Sequence, residues 1–398
     1  MKHWRIITMG TALALSAGVG LAQAGPVDIR YFASPRGTVN GGDLNQILTD
    51  TFNQSQQAIH VTYEPANASD WVTKVTVQMA GGNAPDVVAG WGDFMYAWLE
   101  SGQALQLDGL LPANYFADFV PAAVKLFQVD GKQYGAPFYT GIAGFFYNTQ
   151  MFDDAGLSRP DGSWNWDGFL ADAKKLTLND ANGTTTQWGA DVELDWSRMS
   201  AWVRQNGGSV VDPGVQVGQQ VHFDSPQVIG AFQYLHDLIW NYHVAPSWPI
   251  VNSSPWDSFW AGNKLAIWDT GSWDAGGTQN NCKCSWDIAA KPAGPGGVRA
   301  AQMTQDGFMV YAHTQHPKEA VAFLQFLTSP QAEKIMMLQG NLQPSRLSLG
   351  LEYATNTSLA QKGLNMKVFV DQTKYAFSPP FFKNQSKVND VLYPALDK

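Results

Sequence analysis

The chain has 398 residues and carries 34 acidic against 25 basic side chains, a formal net charge of −9. That balance excludes a broad basic surface for nucleic acid or for an anionic membrane. The length exceeds what one small core can serve, so two lobes are expected.

Residues 1–24 read as an export leader. Lys2 and Arg5 form a basic start, Ile6 to Leu21 is largely apolar, and Ala22-Gln23-Ala24 has the small-x-small pattern of a cleavage site. The apolar run is short, rich in glycine and without a stop-transfer flank, so it is not read as a membrane span. No cysteine lies near the cleavage position to take a lipid. The mature chain is expected to begin near Gly25, keeping 23 basic and 34 acidic residues, a balance of −11.

Beyond the leader, Val27–Tyr31 and Ile59–Tyr63 alternate with the period of two expected of strands. Between them Leu44, Ile47, Leu48 and Phe52 recur at helical spacing, a second helix is predicted over Trp71–Met79, and Asp86–Ala89 is a short buried strand. This βαβαβ order calls for a parallel sheet. Ser225-Pro226 reads as a cap followed by proline at the first helical position, with Val228, Phe232, Leu235 and Ile239 on one face. Pro317 and Ser329-Pro330 open two further helices.

Seven tryptophans fall between Trp240 and Trp286, with Gly, Ser, Asn and Asp interleaved. An indole offers a flat apolar face to the C–H side of a sugar ring, and burying roughly 50 Å² of such a face contributes about 1 kcal/mol. The crowding points to a carbohydrate site, with core packing the alternative for any one ring. Cys282 and Cys284, the two cysteines, could close a small-loop disulfide after export, though the spacing is tight. Seven scattered histidines give no metal constellation, so neither metal nor cofactor is expected. Gly294-Pro295-Gly296-Gly297 is a turn that lacks the lysine and helix of a phosphate cradle.

Four stretches carry a resemblance. They are Tyr134–Gly141 with Phe146–Phe152, Trp164–Phe169 with Ala173–Leu176, Gly271-Ser272-Trp273, and Asp306-Gly307 followed by Ala320–Pro330 and Gly340–Pro344. In this order they resemble the extracellular solute-binding proteins of bacterial ABC importers, the family that includes maltose-binding protein. The resemblance spans nearly the whole mature chain. It implies an α/β, two-lobed periplasmic binding fold of type II, with a ligand cleft between lobes joined by three hinge crossings. Lobe 1 is then expected over 25–137 and 308–345, and lobe 2 over 138–307 and 346–398. Members usually carry one more helix beyond the position of Tyr393-Pro394-Ala395, where this chain stops at Lys398. The implied protein is a periplasmic monomer, not an enzyme, that closes on a small carbohydrate and delivers it to a membrane permease.

The resemblance also nominates ligand-binding residues. Trp273 sits in the small-x-aromatic loop, after Gly271, where many sugar-binding members place a stacking ring. Tyr139 and Thr140 lie at the first crossing, Asp306 at the second, and Arg346 just after Pro344. Trp91 and Asp93 follow the third strand, where an aspartate suits vicinal hydroxyls, or instead caps the next helix. Trp256 and Trp202 are weaker candidates, core packing being the stronger reading for Trp202; Asp70 and Arg36 rest on position only. The rival classes are a glycoside hydrolase, which needs two carboxylates flanking one bond, and a static lectin. Asp153-Asp154 diverge on a helix; Glu64, Glu193 and Asp195 stay open as acids. A non-sugar solute such as a polyamine or glycerol phosphate is the alternative ligand, and the absence of a basic cluster favours neutral sugar.

Overall fold

A computed structural model describes residues 25–66, 71–192, 195–212, 217–218, 220–247, 250, 256–304, 306–382 and 385–396. The leader at 1–24, Asp70 and Glu193 lie outside the described residues.

In chain order the elements that position the site are β1 (Val27–Ala33), α1 (Leu44–Ser55), β2 (Ile59–Pro65), α2 (Trp71–Ala80), β3 (Val87–Gly90) and α3 (Gly92–Glu100). Next come β4 (Gly135–Pro137), β5 (Ala143–Asn148), α4 (Trp166–Leu176), α5 (Trp196–Gln205) and α6 (Pro226–Trp240). They are followed by β6 (Ile267–Gly271), α7 (Ala275–Asn281), β7 (Trp286–Ala289), β8 (Gly307–Val310), α8 (Pro317–Leu327) and α9 (Pro330–Gly340). The first sheet runs β2-β1-β3-β8-β4, with β1 parallel to β2 and β3 and β8 antiparallel to its neighbours. The second runs β6-β5-β7, all antiparallel. No described helix is long and apolar enough to cross a membrane.

Local chemistry accounts for most boundaries. Asp43 caps α1 by accepting from the Asn45 amide at 3.0 Å, and the Ser329 hydroxyl caps α9 by accepting from Ala332 N at 3.2 Å. Pro226 does start α6, but the Ser225 hydroxyl makes no cap bond. In β1 the alternation predicted for Val27–Tyr31 holds, with Ile29 and Tyr31 buried and Asp28 exposed, and beyond it Phe32 and Ala33 are both buried. A central parallel strand is covered by helices on both faces, which removes the solvent side. Asn341 ends α9 in the left-handed region, with φ 53°.

Among the described indoles of the tryptophan crowd, Trp260 and Trp268 are buried and Trp286 is half-buried. Trp260, Trp268 and Trp286 surround Phe146, with ring centroids at 6.5, 5.9 and 4.6 Å. Trp240 is exposed at the end of α6, and Trp273 is half-buried. Cys282 and Cys284 are joined as a disulfide, their Cα atoms 5.2 Å apart.

Three chain segments run side by side between the sheets. Phe138 N donates to Asp306 O at 2.9 Å, Thr304 N to Gly141 O at 2.8 Å, and Thr140 N to Gln343 O at 2.8 Å. The third segment is held by Glu333 of α9, whose carboxylate accepts from the Ser345 hydroxyl and, at 2.9 Å, from Arg346 N. Burial pushes this carboxyl up, against the opposing pull of those donors, to about 7 from 4.5. The folded state therefore holds the proton more tightly than the unfolded chain. Its stabilising contribution is fully present below about pH 4.5 and is lost as pH rises through about 7. Glu333→Gln is expected to flatten stability across that window, removing a slope worth roughly 3 kcal/mol. Urea unfolding of both proteins at pH 5 and pH 8 tests this; equal slopes would count against it.

Candidate functional site

Strand register brings distant segments to one rim. Gly307 of β8 lies opposite both Gly90 of β3 and Pro137 of β4. The chain thus leaves the first sheet at one level through Trp91, Asp306 and Phe138. Phe32 pairs with Val88, so the Ser34–Arg36 segment that follows β1 emerges at the same end. In the second sheet Gly271 lies opposite Ala143. Ser272 N donates to Ile142 O at 3.0 Å and the Ser272 hydroxyl accepts from Ile142 N at 3.2 Å, which ties the Trp273 loop to the first crossing segment.

Arg36 is the electrostatic centre of this rim. Its Nη2 meets Asp306 Oδ1 at 2.8 Å, and its guanidinium lies 5.1 and 5.0 Å from the Phe138 and Tyr139 ring centroids. Burial works against its charge, yet Tyr139 and Asp306 beside it hold its pKa above the ordinary arginine value. Burial, then the Asp306 carboxylate, raises the Tyr139 phenol well out of the titrating range. Tyr139 is 3 % exposed and faces inward, toward Arg36, Thr304 and Asp306. Thr140 is fully buried, and its hydroxyl has no partner among the described residues.

Trp273 projects from the second lobe, and its indole folds back over Gly271. A Cβ on Gly271 would stand 2.2 Å from that ring, so only glycine fits beneath it. The Arg198 guanidinium of α5 lies 5.6 Å from the ring centroid, while Arg198 Nη1 pairs with Asp195 Oδ2 at 2.5 Å. Gly271→Ala is expected to displace the indole and to cost about 1–3 kcal/mol of stability as overpacking. Near-ultraviolet circular dichroism and urea unfolding check this, and an unshifted tryptophan signal would contradict it.

On the first lobe, Trp91 is half-buried and packs on Trp71 at 4.8 Å and Phe94 at 5.5 Å, an aromatic wall beside the rim. Asp93 is the second residue of α3; the cap position belongs to Trp91, which makes no side-chain cap bond. The Asp93 side chain is not among those described, nor is that of Trp256, which opens a short helix over Trp256–Ala261.

Two nominated residues are placed elsewhere. Arg346 does not join the rim: its Nε and Nη2 donate to Thr328 O at 3.0 and 2.9 Å, and its guanidinium covers Phe119 at 4.4 Å. The Thr328 carbonyl and the Phe119 ring, both from stretches assigned to the first lobe, engage it first. Trp202 is 2 % exposed, packed against Trp166 and Phe169 at 5.5 and 5.6 Å. Its helix turns that face to the core.

Sequence reading overlooked Arg198, one of two arginines on α5, whose sequence shows no signal that separates it from Arg204. It also overlooked a buried ionic chain behind Trp273. Lys291 Nζ meets Asp269 Oδ2 at 2.5 Å, and Asp269 N donates to Asp191 Oδ1 at 2.5 Å. This chain anchors β6, and a lone aspartate in an apolar strand was the visible clue.

The carboxylates considered as acids are engaged separately. Glu64 pairs with Arg30 at 2.5 Å, Asp195 with Arg198, and Asp153 with Arg159 at 2.8 Å on an exposed helix. No group of metal-ligating side chains occurs among the described residues.

Residues 36–334 match the model of the bacterial extracellular solute-binding protein family. A probable ABC transporter-binding protein of Deinococcus radiodurans is 25 % identical over 68 % of this chain, which spans 65 % of that relative's length. An ABC substrate-binding protein of Listeria monocytogenes, solved with cycloalternan, superposes with a TM-score of 0.81 at 23 % identity, covering 94 % and 93 % of the two chains. A cyclic α-maltosyl-1,6-maltose-binding protein of Arthrobacter globiformis gives 0.73 at 22 % identity, covering 94 % and 91 %.

Proposed function

Because the chain belongs to the bacterial extracellular solute-binding protein family, we propose that it captures a neutral sugar between its two lobes and hands it to the permease of an ABC importer. The observation that carries the sugar assignment is Trp273, held at the rim over Gly271 with its indole half-buried. The structural relatives solved with or named for oligosaccharides support the same ligand class. Neutral rather than anionic ligands are favoured because Arg36 and Arg198 are each already paired, with Asp306 and Asp195. A phosphorylated solute would need unpaired guanidinium groups to grip it.

The mechanism is hinge closure at the three adjacent segments near Phe138–Ile142, Met303–Asp306 and Asn341–Ser345. Trp273 stacks on the ligand from the second lobe, while Trp91 and the polar groups near Arg36 meet it from the first. Contacts from both lobes exist together only in the closed form, and that differential affinity drives closure. The closed protein then docks on the permease. The protein works as an exported, periplasmic monomer after loss of residues 1–24. Tryptophan-fluorescence titration of the mature protein against neutral mono-, di- and trisaccharides, with the sugar recovered and analysed, tests the proposal. A saturable shift with intact sugar is expected. Cleaved sugar, or silence across the series, would overturn it.

A further inference from the structure

Resting on the sugar-binding reading, we infer that Lys291 is a positioning residue for Trp273: its buried ion pair with Asp269 fits one register of β6 and so fixes where the indole meets the sugar. The Lys291 side chain is fully buried, and its Nζ meets Asp269 Oδ2 at 2.5 Å, with the Phe145 and Trp202 ring centroids 5.2 and 5.5 Å away. Asp269 stands two residues before Gly271, so the two share one face of β6, about 7 Å apart along the strand. A Cβ on Gly271 would stand 2.2 Å from the Trp273 ring, which places the indole on that same face. Asp191 Oδ1 accepts from Asp269 N at 2.5 Å and adds a second tie on Asp269.

The same lysine also holds the strand beside β6. Its backbone N donates to Gln372 Oε1 at 3.1 Å, and Gln372 Nε2 donates to Ala143 O at 2.9 Å. Gln372 is fully buried at the end of the short helix Lys367–Gln372, and Ala143 is the residue opposite Gly271. Lys291 thus reaches both members of the strand pair beneath Trp273, one through its ammonium and the other through its amide. A buried ion pair gives little net stability, because taking two charges out of water offsets their attraction. What it supplies is discrimination between registers. A slip of β6 by one residue would turn every side chain to the opposite face. Asp269 would then point to the side where Trp260, Trp268 and Trp286 surround Phe146, and Lys291 would be a buried charge without its carboxylate. An apolar pair of similar size would pack in the same space and tolerate the slip.

Lys291→Met alone would leave Asp269 as an unpaired buried charge. The test therefore uses the mature protein with Asp269→Leu and Lys291→Met together, which leaves neither partner charged. Urea unfolding is expected to show a stability at or above wild type. Calorimetric titration with the neutral sugar that wild type binds is expected to give about tenfold weaker affinity, because the ligand must then order the indole itself. In a Trp273→Ala background the same two substitutions should change affinity less than about twofold, the signature of action through Trp273. The indole is also read without sugar. The near-ultraviolet circular dichroism of each protein, minus that of its Trp273→Ala version, gives the Trp273 band, which is expected to weaken in the double variant. Wild-type affinity in the double variant, or an unchanged Trp273 band, overturns the positioning role. So does an equal loss of affinity in the Trp273→Ala background, or a double variant much less stable than wild type, which would mark the pair as a stabilising one. If wild type binds no neutral sugar, the sugar-binding reading falls, and the Trp273 band alone decides the positioning role.

Discussion

Trp273→Ala is expected to weaken sugar binding about 100-fold with the fold unchanged, because one indole supplies most of the stacking surface at the rim. The ring packs against Gly271, with the Arg198 guanidinium 5.6 Å from its centroid, so it is pre-oriented before any ligand arrives. Pre-orientation spares the ordering cost that a mobile side chain would incur on binding. Trp273→Phe should retain a flat face and lose only a fraction of that affinity. Trp286→Phe, on a ring that packs against Phe146 in the core, should leave affinity near wild type. Calorimetric titration of the three variants separates these outcomes. Equal losses in Trp273→Ala and Trp286→Phe would show that stacking at the rim is not what binds the sugar.

Arg36→Met is expected to destabilise the protein by about 3 kcal/mol, the low end of what leaving a buried charge unpaired costs, because the Arg36 side chain is itself 23 % exposed. The Asp306 side chain is 6 % exposed and meets Arg36 at 2.8 Å, and methionine keeps the apolar stem while removing the charge. The double variant Arg36→Met with Asp306→Asn should recover most of the loss, since no unpaired charge then remains. Urea unfolding of the single and double variants measures the difference. If the double variant is as unstable as the single, the pair is not what holds the Ser34–Arg36 segment to the second crossing. Because Arg36 also lies over Phe138 and Tyr139, the double variant is expected to stop short of full recovery.

Much of the first lobe was legible because its signals are local. The helical spacing of Leu44, Ile47, Leu48 and Phe52, the strand read at Asp86–Ala89 and the helix start at Ser329-Pro330 each depend on a few neighbouring residues; the structure has the helix with Ile47 half-buried, the strand at Val87–Gly90 and the Ser329 cap. The family motifs read in the same way, as ordered short segments, and residues 36–334 match that family. The site was legible less evenly. Arg36, nominated on position alone, forms the electrostatic centre of the rim, whereas Arg346, nominated on a motif, is engaged by Thr328 and Phe119. Side-chain type suggested the chemistry in both cases; the nearest competing acceptor settled where each arginine went.

By itself, then, the amino-acid sequence determined the order of strands and helices, the export leader as an expectation, and the crowding of seven tryptophans between Trp240 and Trp286. Those follow from periodicity, caps and composition, which act over a turn or two of chain. The Gly271-Ser272-Trp273 motif already pointed to one indole; only the tertiary structure showed where its neighbours go. Trp260 and Trp268 share the composition of their surroundings with Trp273, yet they pack around Phe146. The difference comes from the pairing of Gly271 with Ala143, residues far apart in the chain. Pairing between distant strands depends on the whole set of competing packings and leaves no periodic trace in either segment, so register, and with it the mutual placement of the nominated residues, became visible only in the folded molecule.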